Sequence, residues 1–150
     1  MKESINTAVI VGIIITIVGL IELVLFASFA YSRAFKVKAR IVDILEEQSG
    51  YSENVKERID TEIAKIGYRL TEYGINSCPN LDEDGTGKYT LVNEVSNYNY
   101  CIYVTTEVND DKGAGYYYTV ISYVYFDTPL LNFNFPIRGQ TKTIYNYIDR

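Results

Sequence analysis

The stretch "YSRAFKVKARIVDILEEQSG" (residues 31–50) decides the fold. It follows without a break on an apolar run, Ala8 to Ala30, that holds one ionisable residue, Glu22. Within it Ala34, Val37, Ile41 and Ile44 recur at helical spacing, with Phe35, Val42 and Leu45 beside them. No glycine or proline interrupts the stretch until Gly50, which suits the C′ position of a helix. The pattern predicts one continuous helix from about Asn6 to Gln48. Its first half belongs in lipid, and its second half packs as a spine on a soluble domain.

The apolar run exceeds the ~20 residues a helix needs to cross a bilayer. A secretory signal has a hydrophobic region of only ~7–15 residues and ends at a small-residue cleavage site. A retained single-pass membrane helix is therefore expected. Its orientation is contested. Arg33, Lys36, Lys38 and Arg40 follow the run, against Lys2 before it, and the positive-inside rule places that C-terminal flank in the cytoplasm. Cys78 and Cys101 lie in a turn-rich, tyrosine-rich region that reads as extracellular, where a disulfide persists. The cysteine argument favours an outside domain.

Composition narrows the chemistry. The 150 residues carry a formal charge of −5, so no basic field draws the chain to nucleic acid. Histidine and tryptophan are absent, cysteine occurs twice and tyrosine fifteen times. Without histidine, most hydrolytic triads and general-base schemes fall away, and so do Cys/His zinc sites. Two cysteines cannot form a four-thiolate site either. No enzyme, metal or cofactor is expected.

"YSENVKERIDTEIAKIGY" (residues 51–68) reads as a second helix, with Ser52 as N-cap, Glu53 at the positive helix end and Gly67 as the stop. Val55, Ile59, Ile63 and Ile66 form one apolar face, so the two helices are expected to pair as an antiparallel hairpin. From residue 68 the period changes. "YTLVNEV", "YNYCIYVTTEV", "GYYYTVISYVYF", "NFNFPIRG" and "TKTIYNYI" read as strands, with Pro136 at an edge or bulge. The fold class is α+β: a transmembrane helix (1–31), a helical spine and second helix (32–67), then a β-rich domain (68–150) with four or five antiparallel strands.

"FASFAYSRAFKVKARIV" (residues 26–42) is similar to the helix-exit segment of the TadE-like minor pilins of bacterial tight-adherence systems. "YTVISYVYFDTPLLNFNFPIRGQTKT" (residues 118–143) resembles that group's closing pattern: a strand, a Pro-Leu turn, then a strand rich in small hydroxyl residues. The resemblance extends to pilins and pseudopilins generally, in which a long helix is half anchor and half spine. It implies a structural subunit of a surface filament, held in the bacterial membrane and assembled through the helix with copies of itself or other pilin-like chains. A prepilin leader would end in Gly or Ala, with glutamate at the fifth mature position. Cleavage after Gly19 or Gly12 places Glu22 elsewhere, so the chain is expected to keep its whole N-terminus.

Five features invite a functional role. A carboxylate such as Glu22 inside a lipid-facing helix costs at least ~2.5 kcal/mol. It either meets a polar partner on a neighbouring chain or is protonated and satisfied within its own helix. Gly12 and Gly19 lie two turns apart, where a second helix could approach, or are ordinary membrane-helix glycines. Cys78 and Cys101 form a disulfide worth ~3 kcal/mol or remain two thiols. "LDEDGTGKYTLVNE" (residues 81–94) places Asp82, Asp84 and Thr86 at alternate positions, as calcium loops do. Its Gly85 and Asn93 fail the EF-hand positions, so an acidic turn is the simpler account. One face of the third strand carries Tyr117, Tyr123 and Tyr125, and the other Tyr116 and Tyr118. One face must pack on the helix. The other is either an interface, with Tyr116, Tyr118, Tyr123 and Tyr125 as candidates, or a set of stabilising cross-strand pairs. The expected function is a membrane-anchored pilin-like subunit. The alternative is a monomeric anchored binding module, or an accessory subunit of a membrane complex.

Overall fold

The computed structural model describes residues 2–68, 78–81, 88–93, 98–109, 113–128 and 131–145. Helix α1 (Lys2–Glu47) is uninterrupted. It begins four residues before the expected start, because no proline or glycine stands in that stretch to stop it. Its end differs from the expectation by one residue. Gly50 donates to the Leu45 carbonyl at 3.1 Å and Ser49 to that of Glu46 at 3.3 Å. This is a Schellman closure with Ser49 at C′ in the left-handed region, φ 51°, and Gly50 one place later. Gly50 is still required. Its φ is 146°, and a Cβ there would lie 3.3 Å from the Tyr118 hydroxyl.

Helix α2 (Glu53–Ile66) starts and stops as its caps dictate. The Ser52 side chain accepts from the Val55 N–H, and Gly67 closes the helix at φ 70°. Arg58 pairs with Glu47 at 2.6 Å and Arg40 with Glu62 at 3.2 Å. Partners descend along α1 as they ascend along α2, so the helices are antiparallel.

The sheet is antiparallel, in the order β1 (Thr90–Leu91), β2 (Tyr100–Asn109), β3 (Gly113–Thr128), β4 (Leu131–Gln140). The short β5 (Ile144–Tyr145) pairs with β3 at Gly115 and Tyr116, on the edge that β4 occupies further along. The fold is thus α+β, with a long N-terminal helix, a second helix and a five-stranded sheet. Pro136 sits opposite Tyr123. The N–H and C=O of Tyr118 both bond Thr141, on the β4 side of β3. Bonding sides alternate along a strand, so Tyr123, five residues on, turns its own groups toward β2. Pro136 therefore faces its nitrogen out of the sheet, where no donor is needed.

The even-numbered face of β3 packs on the helices. Tyr118, Val120 and Val124, with Tyr100 and Ile102 of β2, bury Ala34, Val37, Ile41, Ile44, Leu45 and the α2 residues Val55, Ile59 and Ile63. The Ser122 hydroxyl donates to the Ala34 carbonyl at 2.9 Å, deep in this layer. Further along, Tyr118 Oη accepts from the Tyr51 N–H at 3.0 Å, and Tyr116 Oη donates to the Ser49 carbonyl at 2.9 Å. These three contacts fix the direction of β3: it runs antiparallel to α1, toward the apolar N-terminal half of that helix. The opposite face is covered too. Cys101, Tyr103, Ile121 and Tyr123 pack there against Cys78, Leu81 and Tyr89, with Leu91 of β1 beside Tyr103. A sheet covered on both sides needs no polar face, which is why β3 is aromatic and apolar on both.

Candidate site at the membrane boundary

Helix α1 is long and apolar enough to cross a membrane. From Val9 to Phe29 its large apolar side chains are exposed, for example Ile15 at 66%, Val24 at 68% and Phe29 at 67%. Among the described residues none buries them. From Ala34 on, the same helix buries its inner face completely.

The residues singled out for assembly all lie on the exposed half. A Cβ built on Gly12 or Gly19 meets nothing within 4 Å, so no contact inside the chain explains their small size. Gly12 and Ala30, Gly19 and Val37, and Glu22 and Arg40 each stand about five whole turns apart, hence at one azimuth on an ideal helix. The glycine face is thus collinear with the face that packs on the sheet. Glu22 lies on the flank that leads through Phe26 and Phe29 to Arg33. Glu22 is exposed, and no described residue pairs with it. On the same stretch the Thr16 hydroxyl donates to the Gly12 carbonyl at 2.9 Å.

Where the helix leaves its apolar stretch it meets the end of the sheet, and a cavity of about 430 Å3 lies between them. Phe26, Phe29, Ala30 and Arg33 of α1 form one wall. Gly67 and Tyr68, just past α2, and Tyr123 and Tyr125 of β3 form the other. Tyr68 anchors that second wall. Its hydroxyl accepts from the Tyr123 N–H at 2.6 Å and lies within hydrogen-bonding reach of the Asn99 and Tyr123 carbonyls. It thereby fills the gap left where β2 begins one residue later than its neighbour needs. Burial pushes the Tyr68 phenol far above its ordinary range, and those of Tyr118 and Tyr123 upward too. These rings remain neutral.

Four tyrosines expected as a possible interface are not an open platform. Tyr118 and Tyr123 are 6% and 4% exposed, and Tyr116 and Tyr125 are half-buried. Both faces of β3 are packed within the chain, one against α1 and one in contact with Cys78, Leu81, Tyr89 and Leu91. The rings serve instead as packing, with Tyr116 edge-on to Tyr118 at 5.8 Å and Tyr123 beside Tyr125 at 6.4 Å.

Cys78 and Cys101 are joined in a disulfide, Cα–Cα 5.8 Å. The bond ties the covering segment to the centre of the sheet, and the Tyr103 hydroxyl adds a hydrogen bond to the Pro79 carbonyl. The calcium-loop-like positions Asp82, Asp84 and Thr86 lie outside the described residues. Asn93 holds strand edges together. Its Nδ2 donates to the Tyr100 carbonyl at 2.8 Å, and its Oδ1 accepts from the Ile102 N–H at 2.6 Å. Its side chain continues the pairing where strand β1 ends. Among the described residues no group of three or more His, Cys, Asp or Glu is placed to hold a metal ion. Sequence reasoning missed the roles of Tyr68 and Asn93. Both act through contacts with distant strands, which no local pattern announces.

No protein-family model, curated protein or solved structure matches this chain.

Proposed function

We propose that this protein is a membrane-anchored, pilin-like structural subunit. Helix α1 fixes it in the bilayer and carries the surface through which copies assemble, and the disulfide-tied sheet domain stands outside the cell. One observation carries the proposal: a single helix, unbroken from Lys2 to Glu47, exposes its large apolar side chains from Val9 to Phe29 and is a buried spine from Ala34 on. A helix used only as an anchor has no need of a rigid, collinear connection to its domain. A subunit that stacks by its helix does, because the connection sets where each domain sits. The unfilled glycine face and the unpaired Glu22 give such a partner something to contact.

Glu22 supplies the test. Glu22→Leu removes charge and hydrogen bonding and suits lipid better, so membrane retention should hold or rise while assembly falls. Glu22→Gln keeps hydrogen bonding, so it should fall between wild type and Leu if a hydrogen bond suffices, and match Leu if an ion pair is needed. Inter-chain cross-linking through the helix and electron microscopy of surface filaments measure both. Undiminished assembly by Glu22→Leu would reject the role of Glu22, and wild-type cells that give neither cross-links nor filaments would leave a solitary anchored module.

A further inference from the structure

The cavity at the foot of the membrane helix is placed and charged for one kind of ligand. The run Ala8–Ala30 is about 34 Å long as a helix, against about 30 Å of bilayer hydrocarbon. Phe26, Phe29 and Arg33 of the cavity wall therefore fall at the edge of the hydrocarbon and in the headgroup layer. Exposed aromatic side chains mark the same level: Phe26, Phe29, Tyr31 and Phe35 on the helix, as an interfacial girdle does. Strand β3 runs toward this level, and Phe135, 42% exposed, packs against its Phe126 at 5.3 Å. The end of the sheet thus rests on the bilayer surface beside the helix.

Charge singles out Arg33. Of the four cations after the apolar run, Arg40 pairs with Glu62, and Lys38 lies over the Phe35 ring at 4.1 Å. Arg33 and Lys36 have no anionic partner among the described residues, and of the two only Arg33 lines the cavity. A guanidinium at headgroup depth, over an apolar wall of Phe26 and Phe29, matches a phosphate with acyl chains below it. A cavity of this volume falls within the ~300–1,000 Å3 of small-molecule sites. A second copy is the poorer match. Its intramembrane carboxylate, Glu22, lies about 16 Å deeper along the helix than Arg33, so side-by-side chains cannot join the two.

We propose that this cavity seats the headgroup of an anionic phospholipid from the adjoining leaflet, with Arg33 holding the phosphate. This rests on the membrane-anchor half of the proposed function and not on assembly. The seat fixes the tilt of the domain against the bilayer, because one lipid touches α1 and β3 together.

The chain has no tryptophan, so Phe29→Trp gives a single fluorophore at the cavity. The full chain carrying this change is placed in nanodiscs of phosphatidylcholine and phosphatidylglycerol, with bromine on one lipid or the other at equal mole fraction. Brominated phosphatidylglycerol should quench about fivefold more than brominated phosphatidylcholine, the weight of one cation at an anionic surface. Arg33→Gln should bring that ratio to one, and Lys36→Gln should leave it unchanged. A ratio of one before any further change overturns the proposal. So does equal loss with Lys36→Gln, which would mean diffuse attraction, and so does shielding from both lipids as chains are crowded, which would mean a second copy in the cavity. Leu20→Trp is the control for the anchor. If it is quenched while the Phe29→Trp probe is not, the lipid seat falls and the anchor stands. If neither is quenched, both fall.

Discussion

Tyr100 reaches across the core from the sheet to α2, and its hydroxyl donates to Asp60 at 2.9 Å. Partial burial pushes the Asp60 carboxyl above its ordinary range, the hydrogen bond from Tyr100 and the charge of Lys56 opposing this. A raised acid holds its proton more tightly folded than unfolded. Its contribution to stability is therefore complete below the ordinary carboxylate range and is lost as pH rises through the raised value. Glu62 runs the other way: its hydrogen bond with Lys65 lowers it, so its contribution is lost as pH falls through the lowered value. Asp60→Asn keeps the acceptor for Tyr100 and removes the charge. Against wild type, the variant should unfold at higher denaturant at about pH 7, and the advantage should shrink or reverse at about pH 3. Glu62 is common to both proteins and cancels in the difference. Denaturant titrations of the full chain in micelles, followed by circular dichroism, measure this, and an advantage independent of pH would show that the Asp60 charge is not the cause. Little of this was legible in the sequence. Asp60 and Tyr100 are forty positions apart and carry no shared pattern. The same holds for Asn93, which the sequence offers only as a poor calcium position and the fold uses as a substitute strand.

At the scale of elements, legibility depended on how local the determinant was. Helix α2 and its caps follow from Ser52, Gly67 and an apolar face of Val55, Ile59 and Ile63, all within a few turns. The end of α1 was misplaced by one residue because Ser49, and not Gly50, takes the left-handed position. The close approach of Tyr118 and Tyr116 to Gly50 supplies the reason the glycine stands there, and those rings come from β3. The aromatic content of β3 announced a strand but not which faces were packed, because the cover over its second face comes from Cys78, Leu81 and Tyr89. The disulfide holds that cover. In the chain-entropy model, closing a loop of this size contributes roughly 3 kcal/mol. Reduction, or Cys78→Ser with Cys101→Ser, should therefore lower the unfolding free energy by an amount of that order, read from denaturant titrations. The loss should fall first on the covered face. Solvent access to Tyr103 and Tyr123 should rise while the helical core of Ile41, Ile59 and Val120 stays protected in hydrogen exchange. Loss of protection in α1 and α2 alongside the sheet face would show one cooperative unit in place of this order.

The whole molecule poses the question of side. The positive-inside rule counts Lys and Arg near a membrane helix and gives little weight to acidic neighbours, so Arg33, Lys36, Lys38 and Arg40 argue for a domain in the cytoplasm. The fold engages two of these within the chain and sets a third in a cavity wall. Arg40 bonds Glu62, Lys38 lies against Phe35 and beneath Gly139, where a Cβ would meet its chain at 2.7 Å, and Arg33 lines the boundary cavity. The presence of Arg40 and Lys38 is explained by packing before any rule of insertion is invoked. The disulfide speaks for an oxidising compartment, since cytosolic thiols are generally kept reduced. The expected topology is therefore a domain outside the cell. Lys142 offers a probe: its side chain is 89% exposed and lies on the soluble domain, far from the cavity in sequence. In a chain whose two cysteines are replaced by serine, Lys142→Cys should react with a membrane-impermeant maleimide on intact cells, to the extent seen after permeabilisation. Reaction only after permeabilisation would place the domain in the cytoplasm and end the surface-subunit proposal. The lipid seat would outlive that result, because Arg33 then faces the inner leaflet, where anionic phospholipid is also present. The two proposals thus part on one measurement: side decides whether the domain can belong to a surface filament, and depth alone decides whether Arg33 can hold a phosphate.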